Sequence, residues 1–158
     1  MNQEKDVRTS AISYEDAVRE LASPQTWCKA ARALAARGDR RALLPLLDAY
    51  ESPVEGGKRC LLEAMDELHA SDAAADLYDR GDPRQRGQAV RLMELFPGDQ
   101  HLPRLTRALS DSAEGVRIEA RRAIVNQERT QSWKAAMSEL LESPDAEIRR
   151  LAEESLAR

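Results

Sequence analysis

Apolar and small residues recur along this chain at offsets of four, seven and eight, which is the period of one face of an α-helix. In DSAEGVRIEARRAI (111–124) that face reads Val116, Ala120, Ala123 and Ile124, and in SPDAEIRRLAEESL (143–156) it reads Ile148, Ala152, Ser155 and Leu156. Taking the last residue of each set as an anchor, five line up: Leu34, Met65, Leu95, Ile124 and Leu156, at intervals of 31, 30, 29 and 32. One position before the anchors stand Ala33, Ala64, Glu94, Ala123 and Ser155, and four before stand Ala30, Leu61, Arg91, Ala120 and Ala152. Eight before stand Thr26, Gly57, Gly87, Val116 and Ile148. The third set fits least well. Arg91 and Glu94 occupy its apolar places while Leu92, Met93 and Phe96 fall outside them, which signals a local shift of register.

Each periodic stretch has a start signal. Ser23-Pro24, Ser52-Pro53, Asp82-Pro83, Asp111-Ser112 and Ser143-Pro144 each place a capping side chain first. Pro suits the first helical turn, because its missing N–H has no helical partner there. Between these stretches lie second apolar segments, YEDAVREL, RRALLPLLDAY, DAAADLYDRG, QHLPRLTRALS and TQSWKAAMSELL, with turns at Gly38-Asp39 and Pro97-Gly98-Asp99. The pattern predicts about five helix pairs of roughly 30 residues each. One pair cannot bury its own apolar face but stacked pairs can, so the expected fold is all-α, a right-handed α-solenoid. Residues 1–12 read as a flexible N-terminal lead-in and 13–158 as a single repeat domain.

Composition narrows the picture further. Aromatics make up only 4% of the 158 residues, so the core must be aliphatic and Ala-rich, which favours closely packed helices. The net charge of −4 repels phosphate backbones, and RQRGQAVR (84–91) has no aromatic interleaving, so no nucleic-acid partner is expected. No run of about 18 apolar residues suggests a membrane span, and the first residues show no signal-peptide pattern; a cytoplasmic location follows as the expectation. Cys28 and Cys60 fall in adjacent repeats. Helices ~8–10 Å apart exceed the ~7 Å Cα separation that a disulfide tolerates, so two buried or half-buried thiols are expected.

The two quoted stretches, with GDRRALLPLLDAY (38–50) between other units, resemble the HEAT-like repeats first noted in phycobilisome lyases, over residues 23–158. The resemblance implies a scaffold or protein-interaction module without catalysis of its own, or alternatively a phycobilin lyase-like subunit. It also implies that the residues one position past the first column (Trp27, Lys58, Gln88, Arg117 and Arg149) serve structure, bonding to loop acids such as Asp82 and Asp111 or to loop carbonyls. His69 and His101 lack the neighbouring carboxylates of iron-binding HEAT enzymes, and Trp27 and Trp133 lie at opposite ends of the chain, unlike the aromatic cleft of HEAT-like glycosylases. No nucleophile–base pair, phosphate loop or metal cluster emerges, so no catalytic residue, metal or cofactor is expected. The expected partner is another protein, and the chain is expected to be a monomer.

The same resemblance places the second helix of each pair on a concave, partner-facing side. Off the packing stripe there stand Leu62, Glu63, Leu92, Met93, Arg121 and Arg122. Leu62, Leu92 and Met93 would form an apolar centre, with Glu63 and Arg121–Arg122 as its charged rim, the arrangement common in protein interfaces. A shift of register in the third pair offers the other placement, with Leu92 and Met93 inside the core.

Overall fold

The structure, a computed structural model, describes residues 12–158, and every described element in it is helical. Ten α-helices run in five consecutive pairs: α1 (Tyr14–Glu20) with α2 (Trp27–Ala36), α3 (Leu43–Tyr50) with α4 (Lys58–Glu67), α5 (Ala70–Arg80) with α6 (Pro83–Leu95), α7 (Leu102–Ala108) with α8 (Glu114–Val125), and α9 (Gln131–Leu140) with α10 (Ala146–Leu156). The fold is an all-α repeat of the solenoid type. The chain groups into two compact units, one ending at Leu68 and the other spanning His69–Arg158. The lead-in assigned to residues 1–12 lies, except for Ile12, outside the described residues.

In the first unit α2 packs on both α1 and α4, and α3 packs on α4. Ser13 caps α1 by accepting from the Asp16 N–H at 3.0 Å, and Asp39 accepts from the Arg41 N–H at 3.0 Å in the 3-10 turn leading into α3. Trp27 is buried, with its indole N–H donating to the Leu21 carbonyl at 2.8 Å. The start expected at Ser52-Pro53 falls in a loop instead. Gly56 and Gly57 take left-handed φ values of 93° and 70°, which end the turn and let α4 begin only at Lys58.

The expectation of two free thiols is overturned. Cys28 and Cys60 are joined in a disulfide, their Cα atoms 5.2 Å apart. The average interhelix spacing fails here because Cys28 and Cys60 lie in the first turns of α2 and α4, which approach each other locally. A Cβ added to Gly57 would stand 3.3 Å from Cε3 of Trp27, so the backbone at the start of α4 rests directly on that indole.

In the second unit, successive second helices stack (α6 on α8) and so do successive first helices (α7 on α9), with each pair packed internally. A capping box starts α6: Asp82 accepts from the Gln85 N–H at 2.9 Å, and Gln85 accepts from the Asp82 N–H at 3.0 Å. Thr130 caps α9 and Asp145 caps α10. His69 precedes α5 with φ 56°, the only non-glycine left-handed residue among those described.

The third pair shows how the register shifts. Helix α6 buries Ala89, Val90, Leu92 and Met93, so its packing stripe reads Gln85, Ala89, Leu92 and Met93, two positions earlier than the alignment placed it. Met93 replaces Leu95 as anchor, and Leu95 is half-buried. Leu156, the final anchor, is 37% exposed at the end of α10 rather than inside the core. Leu34, Met65 and Ile124 are fully buried as expected.

Candidate protein-binding face on the second helices

The shifted register brings Arg86 into line with Arg117 and Arg149, and all three bind loops. Arg86 makes a two-pronged contact with Asp111 in the loop before α8, both N···O distances being 2.8 Å. Arg117 donates to the carbonyls of Asp111 at 2.8 Å and Ser112 at 3.2 Å, and Arg149 to those of Ser143 at 2.7 Å and Pro144 at 3.0 Å. Asp111 also accepts from the Ala113 N–H at 2.9 Å. The Arg86 hydrogen bonds come first in holding its carboxyl down at about 2, against the opposing effect of its burial. These arginines are committed to shape. Asp82, the other acid expected in that role, caps its own helix.

Gln127 adds a second tether. Buried beyond the end of α8, it donates to the carbonyl of Met93 at 3.0 Å and accepts from the Gly98 N–H at 3.0 Å. Both hydrogen-bonding ends of a buried amide are thereby satisfied, and the ends of α6 and α8 are locked to one another.

Outward from this frame, the second helices of the second unit carry a lattice of opposite charges. Glu94 of α6 receives Arg122 of α8 at 2.9 and 3.1 Å and Asn126 at 2.7 Å. Arg91 reaches Glu119 at 3.4 Å, and Glu119 is held by Arg122 as well. Arg121 pairs with Glu147 of α10. The exposed Arg121–Glu147 pair contributes little stability by itself, about 0–1 kcal/mol, whereas Glu94, Arg91 and Glu119 are partly buried and tie α6 to α8. Beside it, Glu114, Arg117, Ile118, Arg121, Asp145 and Glu147 line an open cleft of about 370 Å³. Ile118 is 56% exposed, the most open large hydrophobic side chain among the described residues.

The six residues singled out in the sequence fare differently. Arg121 and Arg122 stand on the outer face of α8 within the lattice. Leu62 is half-buried and Glu63 exposed on α4 in the first unit, where Glu63 pairs with Arg59 at 2.8 Å. Leu92 and Met93 are corrected: both are 0% exposed, because the two-residue shift of α6 turns them into the core, and neither is available to a partner. Arg91 takes their place on the outer strip. Arg86 carried the missed signal, since matching it to Arg117 and Arg149 would have set the register. Ile118 was missed because it lies off the packing stripe, and an apolar residue there was itself the clue.

Both tryptophans are spent in the core, Trp133 donating its indole N–H to the Ile124 carbonyl at 2.8 Å. Among the described residues no group of three or more His, Cys, Asp or Glu is arranged to hold a metal ion, and no helix is long and apolar enough to cross a membrane.

Stacked helix pairs tied by loop arginines, with an outward charged face, define an α-helical repeat protein. Residues 71–157 match the family described as HEAT repeats, more than half of the chain, and the chain belongs to that family. HEAT repeats generally mediate protein–protein interaction. No curated protein matches the chain in sequence.

Proposed function

We propose that this protein is an interaction module that binds another protein on the outer face of α6, α8 and α10, without catalysis of its own. The observation that carries the reading is Ile118, an exposed aliphatic side chain in a cleft edged by Arg121 and Glu147. An apolar anchor supplies affinity, while flanking charges of both signs select the partner and its orientation. Arg121 and Arg122 form the rim, while Leu62 and Glu63, on α4 of the first unit, are a separate candidate surface of that unit. The unbroken succession of five helix pairs supports treating residues 13–158 as one repeat domain. The bilin-lyase alternative rests on resemblance alone, and no residue of this face favours it.

The test starts with a pull-down and mass spectrometry, followed by titration of the recovered partner against Ile118→Glu and Arg122→Glu. Both side chains are exposed, so neither change should disturb the fold. Ile118→Glu should weaken binding at least about tenfold, the scale of an anchor worth more than 1 kcal/mol. Unaltered affinity in both variants, with unchanged circular dichroism, would place the partner elsewhere.

A further inference from the structure

We infer that the Cys28–Cys60 disulfide is a reversible redox staple that controls the opening of the 51–57 loop and the first turn of α4. Each sulfur belongs to a first helical turn, Cys28 being the second residue of α2 and Cys60 the third residue of α4. Amides in a first turn lack helical partners, and that end of the helix is electropositive. The uncapped start of α4 meets the start of α2, which runs on from the 3-10 turn Pro24–Thr26, and the two sulfurs are joined there. Thiol–disulfide exchange proceeds through thiolates, so what it requires of the protein is a sulfur that an incoming thiolate can reach.

The access is asymmetric. Cys28 is partly exposed, whereas Cys60 is 8% exposed. An incoming thiolate of a dithiol reductant therefore attacks Cys28 Sγ, forming a mixed disulfide and breaking the Cys28–Cys60 bond. Cys60 leaves with the electron pair as a thiolate. The second thiol of the reductant then attacks its own sulfur in the mixed disulfide and releases Cys28. The protein gains two electrons and takes up protons as its thiolates titrate, while the reductant ends as a cyclic disulfide.

The bond matters locally because the loop it guards is exposed. Residues 53–57 are exposed, two consecutive left-handed glycines end the loop, and Lys58 begins α4 without a side-chain cap. Beside the disulfide, the start of α4 is seated by the approach of Gly57 to Trp27, by Lys58 over the Tyr50 ring at 5.6 Å and by the buried Leu61. Once the bond opens, this turn frays, exposing the peptide bonds after Lys58 and Arg59.

The experiment uses the full chain under native conditions, in buffers of stepped reduced-to-oxidised glutathione ratio with dithiothreitol as the reducing end point. Free thiols are counted by alkylation and mass spectrometry, and parallel samples receive brief trypsin treatment. The expected result is full, reversible reduction without loss of helical circular dichroism, together with severalfold faster cleavage after Lys58 or Arg59. A Cys28→Ser variant should show the fast cleavage in every buffer. A double Cys28→Ala, Cys60→Ala variant checks that this comes from the lost bond rather than from a stranded thiol. A bond that resists dithiothreitol until the protein is unfolded would be a permanent crosslink and would overturn the inference. So would thiols that stay free in oxidised glutathione, or cleavage that ignores the redox state.

Discussion

Ala123 has no exposed surface and stands on the side of α8 that faces the core, where a methyl group is all the space allows. Ala123→Leu should therefore overpack that layer and cost about 1–3 kcal/mol, read as a lower midpoint in urea or thermal unfolding. Asp111 poses the opposite kind of test, since its role is charge. Its carboxyl is held at about 2 from an ordinary 3.8, chiefly by Arg86, so the folded state favours the ionised form. The resulting stability, about 2 kcal/mol, is present above the unfolded value and lost as pH falls through the folded one. Unfolding free energies measured from pH 5 down to 2 should decline through that interval. In Asp111→Asn this part of the slope should vanish, and the variant should already be less stable at neutral pH. His101 shows what residue-level reading cannot foresee: it precedes α7 and is buried, its ring nitrogen 2.9 Å from the Ser71 hydroxyl.

At the scale of elements, the helices were legible because Ala and Leu recur at the helical period, and most anchors fell where the repeat put them. The third pair was misaligned for a local reason. The first position of its stripe is Gln85, a polar residue recruited into the capping box, so the apolar signal disappears where the helix begins. Gly87 then aligned with Gly57 and drew the register two residues off. The same box gives a prediction. Asp82→Ala removes one half of it and should cost about 1 kcal/mol, visible as a lower thermal midpoint and faster amide exchange in the first turn of α6. The disulfide was hidden for a different reason: a mean helix spacing says nothing about two helices that touch through their first turns. As for the candidate face, its charged residues on α8 were readable from their positions off the stripe. Its apolar centre was not settled, because burial of Leu92 and Met93 turns on a register that the alignment through Gly87 concealed and only Arg86 marked.

For the whole molecule, a surface of paired charges around one exposed aliphatic group makes a kinetic forecast. The rim of the face carries charges of both signs, Arg121 and Arg122 beside Glu119 and Glu147. Association with a protein partner should then slow as ionic strength rises, because charge steers encounter, while dissociation should change less. Surface-plasmon or stopped-flow rates at low and high salt distinguish this from binding by the apolar anchor alone, which salt would leave nearly untouched. Ile118→Glu should act mainly on the dissociation rate, the complementary signature.

The Cys28–Cys60 bond has another consequence, in the chain that has lost its fold. It ties two points separated by 32 residues, so the unfolded first unit cannot wander as an open polymer. Chain statistics put the entropy removed by a loop of that size at about 4 kcal/mol near room temperature. Nothing in the native state needs to change for this gain to appear, because it comes from impoverishing the alternative. An oxidised and a reduced molecule can thus share one core, differ in the folded state only at the first turn of α4, and still differ greatly in how often they come apart. The surrounding thiol balance would then set how often the first unit loses its fold, through the unfolded chain.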